Sequence, residues 1–185
     1  MTIETGGVLI PRFTAKKAYN AFERVLKQAA YYNKAPKYVW IDRNGLQCVT
    51  DGFRAYRLGG ICQPELPAGL PGPPRDAQPP DLDYFFPPLD LEDMIPLPVP
   101  SLDELKEAIK RGFDGHYRYP YDFGEGLPLL NAVYLRDALT LFPDAKLFCY
   151  KKRTTVSPVR LQSGYGDAII FPIRKQRMCL TDRTA

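Results

Sequence analysis

Residues 156–161 (VSPVRL) and 168–174 (AIIFPIR) are the stretch that decides the fold of this chain. Apolar and polar side chains alternate in the first run, which is the period of a half-buried strand. The second run is almost continuously apolar, as expected for a strand that is covered on both faces. Gly164 and Gly166 lie between the two runs and favour a turn. The sequence therefore predicts an antiparallel hairpin at this point.

Length and composition are those of an ordinary globular protein. The chain has 185 residues, 45% of them hydrophobic and 25% charged, which suffices for one domain with a sizeable core or for two small ones. No run of about eighteen apolar residues is present, so we expect no membrane span. The N-terminus lacks a basic region followed by an apolar core, so we expect no signal peptide and a cytoplasmic location.

Cysteine spacing and net charge further limit which kinds of site the chain can contain. The four cysteines, Cys48, Cys62, Cys149 and Cys179, are widely separated and form no C-x-x-C pair. This spacing favours buried, reduced thiols over disulfides or a zinc site. The formal net charge of +4 permits contact with nucleic acid without requiring it, so the position of the charges matters more than their sum.

The first sixty residues predict the element order β-α-β-β-β. A short strand precedes a helix that Thr14 can cap, and apolar residues follow helical spacing to about residue 30. Asn44-Gly45 then separates two β-rich runs, which is a strong signal for a hairpin turn. The predicted strands are residues 7–11, 37–41 and 46–50, followed by a bend at Gly52 and a further strand that runs to Leu58.

The polar side of this helix carries a basic stripe of Lys17, Arg24 and Lys27, with Glu23 as the nearby carboxylate. Such a stripe is often no more than the solvated face of a helix. It also suits a helix that lies along a phosphate backbone, where cations release counterions without reading the base sequence. Both interpretations stay open at this point.

The segment between residues 62 and 100 is much richer in proline than the rest of the chain. Twelve of the nineteen prolines lie in this segment, and proline neither donates to a β-ladder nor continues a helix. We therefore predict an insert with little regular structure. Its aromatic run, Tyr84, Phe85 and Phe86, would be poorly placed in water, so we expect part of the insert to pack on the domain or on a partner.

The second half repeats the order of the first. Ser101 and Glu104 form a capping box that opens a helix, and Gly112 can end it. A strand and a helix capped by Asn131 follow, and a further strand leads into the closing hairpin. The predicted elements are a helix over 102–111, a strand over 127–130, a helix to about residue 142 and a strand over 145–150.

Three runs of the sequence are similar to motifs of one protein family. Residues 50–55 (TDGFRA) resemble its TDGHRLA run, with Phe53 where the family has histidine. Residues 131–139 resemble its N-x-x-Y-[LV]-x-D-[AV]-L helix, and the closing hairpin resembles its SPV and M-P-M-R strands. The family is the bacterial DNA polymerase III sliding clamp, or β subunit. The matched positions are Asn131, Tyr134, Asp137, Leu139, Ser157, Val159, Pro172 and Arg174.

The resemblance implies an α+β domain with the DNA-clamp (processivity) fold, in which two βαβββ half-units form a single domain. The half-units would be residues 7–60 and 101–174, separated by the insert at 62–100 and followed by a basic tail at 175–185. A clamp protomer has three such domains, whereas this chain has material for one. Encircling DNA would therefore need a homo-oligomer of several copies joined head to tail. Each interface would then bring residues 50–55 of one copy beside residues 171–174 of the next.

The resemblance also implies two binding regions. Helices of the ring's inner wall face duplex DNA, and the matching residues here are Lys17, Arg24 and Lys27. A hydrophobic cleft captures short peptide motifs of polymerases and repair factors, because shallow apolar pockets suit Leu and Phe side chains. The positions that match this cleft are Gly52, Phe53, Arg54, Ala55, Val156, Pro158, Ile169, Phe171, Pro172 and Arg174.

Residues 82–86 (LDYFF) have the apolar-then-aromatic character of clamp-docking peptides, although no glutamine stands at the expected offset. We expect these aromatics to anchor the insert to its own domain. The sharper alternative is that the segment occupies a clamp cleft, either in cis or on a true clamp.

Enzyme motifs are not evident. Asp81 and Asp83 lie in a segment without rigid elements to hold a metal, so solvated charge is favoured. The single histidine, His116, has no serine or cysteine placed by motif to use it as a base. We therefore predict a non-enzymatic protein with no cofactor and no metal, which docks partners on DNA in replication or repair. A protein-interaction module that binds no DNA is the main alternative, and a small hydrolase is a further one.

Overall fold

A computed structural model describes residues 15–32, 35–59, 69–86, 92–112, 118–152 and 154–173. The helices are α1 (Ala15–Tyr32), α2 (Leu102–Arg111) and α3 (Ala132–Leu141). A short 3₁₀ turn spans Thr154–Val156. The strands are β1 (Trp40–Ile41), β2 (Gln47–Thr50), β3 (Arg54–Leu58), β4 (Met94–Leu97), β5 (Pro120–Asp122), β6 (Leu129–Asn131), β7 (Lys146–Tyr150), β8 (Val159–Ser163) and β9 (Gly166–Ile170).

In the described part of the chain, seven strands form one sheet in the order β1-β2-β3-β9-β8-β7-β4. Every neighbouring pair in this sheet is antiparallel, and β5 and β6 form a separate antiparallel pair. The α+β class expected from the sequence is therefore confirmed. Helix α1 leads into the meander β1–β3, and helix α3 leads into the meander β7–β9. The two meanders meet where β3 pairs with β9, from Arg54 opposite Ile170 to Leu58 opposite Gly166.

The helices cover one face of the sheet. Helix α1 buries Ala18, Phe22, Val25 and Ala29, whose spacing places them along one side of the helix. These side chains join a core that includes residues of α2, α3 and alternate positions of the sheet. Along β3, for example, Tyr56 belongs to this core. Burial of a side chain as large as Phe22 stabilises the fold by about 1.5–3 kcal/mol.

Several local predictions are confirmed. Gly45 takes a positive φ of 77° in the turn between β1 and β2, which explains the glycine there. Ser101 accepts a hydrogen bond from the Glu104 backbone N–H and completes the capping box of α2. The Asn131 side chain accepts a hydrogen bond from the backbone N–H of Val133 at 2.9 Å, so it caps α3 as expected.

The closing hairpin is present, but its strands are shifted from the predicted bounds. The strands are Val159–Ser163 and Gly166–Ile170, and residues 154–156 form the 3₁₀ turn instead of a strand. The shift has a physical cause outside the hairpin. Asp144 accepts hydrogen bonds from the Ser163 hydroxyl and from the Gly164 backbone N–H, which fixes the turn between β8 and β9.

The proline-rich insert is more regular than the sequence indicates. Its Met94–Leu97 segment forms β4 and pairs with β7 at the edge of the large sheet. Pro96 is compatible with this position because an edge strand needs backbone donors on one side only. In the described part of the insert, β4 is the one segment of regular structure, and its position in the large sheet was not predicted.

Some sequence predictions lie outside the described residues. These are the first strand at 7–11, the Thr14 cap, Cys62, Cys179, His116, Arg174 and the tail at 175–185.

Candidate functional site

The basic stripe of α1 contains ion pairs as well as solvated charge. Lys27 is 71% exposed and pairs with Glu23 at 3.0 Å, one helical turn away. Arg24 is 42% exposed and lies 3.4 Å from a carboxylate oxygen of Asp137, on α3. Lys17 is half-buried on the same helix. The stripe is therefore present where the sequence placed it, but nearby carboxylates reduce its positive potential.

Beneath this helix surface, a buried charge network joins β3 to helix α3. The Arg54 guanidinium donates to Asp51 and to Asp137, each at 3.0 Å, and to the Tyr56 hydroxyl at 3.1 Å. The same guanidinium lies over the Tyr134 ring, 4.4 Å from its centroid. Such contacts combine a charge-assisted hydrogen bond with a cation–π interaction.

The pKa values of this network follow from its burial and charges. Burial opposes the charge on Arg54, but Tyr56, Asp51 and Asp137 raise its pKa above the usual value, so it stays cationic. Burial, with the negative charge of Asp51, raises the pKa of Tyr134 to about 12. Arg54 was expected at the rim of a peptide cleft, and the structure places it in the interior. The Phe53 backbone N–H donates to Asp51, which also accepts from Arg54, so the network reaches the turn that carries Phe53.

The other predicted cleft residues fall into two groups. Ala55 and Ile169 are buried opposite each other on β3 and β9. Gly52, Phe53 and Val156 are exposed, whereas Pro158, Phe171 and Pro172 are half-buried. The Phe171 backbone N–H donates to the Phe53 carbonyl at 2.9 Å. The two predicted walls therefore meet within one chain, where the resemblance placed them on neighbouring copies.

Two groups of aromatic rings lie at this end of the sheet. Tyr31, Tyr32 and Phe53 form one edge-to-face chain, with ring centroids 5.0 and 5.1 Å apart. Tyr84, Phe85 and Phe171 form the other, at 5.4 and 5.6 Å. We call these six residues the aromatic surface. Tyr31 and Tyr32 were not predicted as part of a site, although an aromatic pair at the C-terminal end of α1 was a visible signal in the sequence.

The face of the sheet opposite the helices is covered by the insert. Trp40, Cys48, Ala55 and Ile169 form an apolar floor there, and Leu82 and Phe86 pack against it. We call residues 82–86 the strap. The insert aromatics thus pack on their own domain, as expected, and they do so on three of the predicted cleft positions, Ala55, Ile169 and Phe171. Burial raises the pKa of the Cys48 thiol to about 12, so the thiol stays protonated.

Arginines hold the strap at its polar side. Asp83 accepts hydrogen bonds from Arg43 and Arg57, which lower the pKa of its carboxyl below the usual value. Arg57 also donates to Asp42. The Phe86 ring lies between two guanidinium groups, 5.1 Å from that of Arg57 and 5.7 Å from that of Arg160.

Metal-binding groups and membrane-spanning helices were considered among the described residues. No group of three or more His, Cys, Asp or Glu side chains is placed to hold a metal ion within the described ranges. In the same ranges, no helix combines the length and the apolar character needed to cross a bilayer.

The fold and site define an α+β domain made of two helix–meander units, with a buried charge network at the seam and an aromatic surface at one end. Comparison of the chain with protein-family models, with curated proteins and with solved structures gives no match.

Proposed function

We propose that this chain is a non-catalytic, sliding-clamp-like protein that docks partner proteins on duplex DNA during replication or repair. One observation carries the proposal: the helix–meander unit occurs twice, and the two units share a continuous antiparallel sheet across β3 and β9. Two such units in one domain are the plan of the clamp (processivity) fold. Residues 50–55 run from the end of β2 into β3 and residues 132–139 lie on α3, which supports this proposal; of the closing motif, Val159 lies on β8, whereas Pro172 follows β9.

DNA association is assigned to the exposed side of α1. Lys17, Arg24 and Lys27 lie along this helix and would contact phosphates, which gives affinity without base specificity. Because one domain cannot enclose a duplex, the proposal includes assembly of several copies head to tail. The free, buried thiols of Cys48 and Cys149 favour a reducing compartment, consistent with the cytoplasm.

Partner docking is assigned to the aromatic surface and the cleft residues around it. Phe53 and Phe85 are both exposed and flank the half-buried Phe171. A short peptide that carries Leu or Phe side chains would bury them against these rings, and aromatic contacts are the commonest source of binding energy in such sites. Val156 and Pro158 precede β8 at the same end of the sheet and extend this surface.

A second function has its own supporting observation. Arg24 and Lys27 each pair with a carboxylate, so part of the basic stripe is already compensated within the protein. On this alternative the domain is a protein-interaction module that binds no DNA, and α1 is simply its solvated face.

Retention on duplex DNA as a function of salt separates the two functions. We expect the wild-type chain to bind at low salt and to lose affinity steeply as salt rises. Replacing Lys17, Arg24 and Lys27 by glutamine should lower the slope of log affinity against log salt by up to about three units. The matched control replaces Lys106, Lys110 and Arg111 of α2, which removes the same charge from another helix.

The outcomes are distinct. Equal loss in both triple variants would mean that net charge, and not the α1 stripe, holds DNA. Absence of wild-type binding even at low salt would favour the interaction module. Light scattering at high concentration reports the assembly separately, and a monomer under those conditions would contradict the head-to-tail ring.

A further inference from the structure

The strap has the shape of a bound peptide. The backbone N–H groups of Phe85 and Phe86 donate to the Leu82 carbonyl, at 2.9 and 3.1 Å, so the strap is a single helical turn. This turn places Leu82 and Phe86 on one side, where they are 3% and 6% exposed. Tyr84 points away and is 85% exposed. The strap thus inserts two apolar side chains into the domain and leaves the intervening aromatic in solvent.

The surface beneath the strap has the composition of a peptide-binding site. Its floor is apolar and includes Trp40, Ala55 and Ile169. Arg57 and Arg160 flank the Phe86 ring, and each is also paired with a carboxylate of the domain, Asp42 and Asp167. Buried apolar anchors within a polar rim are the usual organisation of such interfaces. Arg57 also bonds Asp83, as does Arg43, which explains why an acidic residue stands next to Leu82 in the strap.

We propose that the strap is an intramolecular ligand, and that a partner peptide of the same chemistry displaces it. The peptide would carry an aliphatic residue, an acidic residue directly after it and an aromatic residue four positions after the aliphatic one. The inference deepens the proposed docking function, on which it rests for the existence of a partner. It places the docking site on the face opposite the helices, under the strap and next to Phe171, and Tyr84 and Phe85 leave the aromatic surface when the strap is displaced.

Displacement requires the strap to give up the burial of Leu82 and Phe86 and the bonds of Asp83 to Arg43 and Arg57, and a partner peptide of the same chemistry would restore both kinds of contact. Two side chains are buried, and their gain is of the same order as the conformational entropy lost by ordering five residues. Residues 69–81 before the strap contain no helix or strand that would have to unfold. Since the strap is tethered, its effective concentration is high and excludes weak, unspecific peptides. A partner must therefore bind well or use a second contact to open the site.

The chain contains its own reporters for this opening. Trp40 is the only tryptophan, and it is buried in the same cluster as Leu82 and Phe86. Cys48 belongs to that cluster as well. In a full-length variant with Leu82→Ser and Phe86→Ser, we expect the Trp40 emission to shift to longer wavelength and Cys48 to be alkylated at least tenfold faster. The control variant Tyr84→Ser changes an exposed neighbour and should leave both signals as in the wild type.

A synthetic peptide of residues 80–88 then tests recognition directly. We expect it to bind the double variant and to return the Trp40 emission toward the wild-type value. The same peptide with Phe86→Ala, or with Asp83→Lys, should bind at least tenfold more weakly. Unchanged Trp40 emission in the double variant, or no binding of the 80–88 peptide to it, would overturn the proposal.

A measurement on the wild-type chain covers the case in which the double variant does not fold. We expect the amide protons of Phe85 and Phe86 to exchange through local opening, much faster than those of β3 and β9. If they exchange only at the rate of global unfolding, the strap is an integral part of the fold and the proposal is wrong. None of these readouts involves DNA, so their failure is distinguishable from failure of the proposed DNA association.

Discussion

Replacing Arg54 by methionine tests whether the buried charge network holds the two halves together. Arg54→Met keeps an unbranched apolar stem but removes the cation between Asp51 and Asp137, which are 0% and 2% exposed. Breaking a buried ion pair by removing one partner costs about 3–5 kcal/mol. Arg24 and Arg136 remain within 3.4 and 3.0 Å of Asp137, so we expect a loss near the lower limit, about 3 kcal/mol.

Urea unfolding followed by circular dichroism measures this loss. With a denaturant dependence of about 2 kcal/mol per molar urea for a domain of this size, the midpoint should fall by about 1.5 M. Arg54→Lys keeps the charge but cannot bond both carboxylates with the same fork, so its midpoint should be intermediate. Arg111→Met, at the exposed end of α2, should shift the midpoint several times less.

A double-mutant cycle strengthens the Arg54 test. Arg54→Met combined with Asp137→Asn should show a coupling energy of at least about 1 kcal/mol, because the two residues share one network. An Arg54→Met midpoint equal to that of the wild type would refute the reasoning. So would strict additivity with Asp137→Asn, since the arginine would then contribute nothing through α3.

Three smaller changes test other parts of the fold. Because burial raises the pKa of Cys48 from 9.0 to about 12, its contribution to stability is complete below pH 9 and is lost as the pH rises from 9 to 12. At pH 10 the loss is about 1 kcal/mol, and Cys48→Ala should remove this part of the pH dependence of unfolding. Asn131→Ala removes the cap of α3 and should cost about 1 kcal/mol in thermal or urea unfolding, with no cost expected if the cap is not formed in solution. Gly166→Ala places a Cβ 2.0 Å from the Arg57 carbonyl oxygen at a φ of 143° and should destabilise the fold by at least about 2 kcal/mol. Gly164→Ala, whose Cβ would have its nearest contact at 3.4 Å, should be nearly neutral. Similar unfolding midpoints for the two variants would contradict the pairing of β3 with β9 at Gly166.

Local signals in the sequence predicted several elements because their causes are local. The Asn44-Gly45 turn, the Ser101 capping box and the Asn131 cap each depend on hydrogen bonds between residues at most four positions apart. The apolar spacing of α1 likewise determines which side of the helix is buried, whatever it packs against. These features could be predicted from the sequence for that reason.

The edges of the sheet could not be predicted in the same way. The strand bounds of the closing hairpin depend on Asp144, which lies about twenty residues before the turn that it holds. Strand β4 depends on pairing with β7, more than fifty residues away in the sequence. A proline-rich run considered by itself argues against a strand. A strand that contains Pro96 is possible only because it lies at the edge of the sheet, where backbone donors are needed on one side only.

The candidate site shows the same division. The residues next to Arg54 in the sequence indicate a surface position. Its burial depends on Asp137, which lies 83 residues away. The packing of the strap depends on Arg57 and Arg160 from two different strands. Phe53 and Phe171 were both singled out from the sequence, but their pairing within one chain follows from the register of β3 and β9.

The sequence by itself determined the α+β class, the helices, their caps and the tight turn between β1 and β2. Periodicity and short-range hydrogen bonding act over a few residues, and that information lies within the run itself. Only the tertiary structure decided which face of the sheet the insert covers, which charges are buried and which aromatics share a surface. Those outcomes depend on contacts between residues far apart in the chain, whose energies exist only after the two halves have come together.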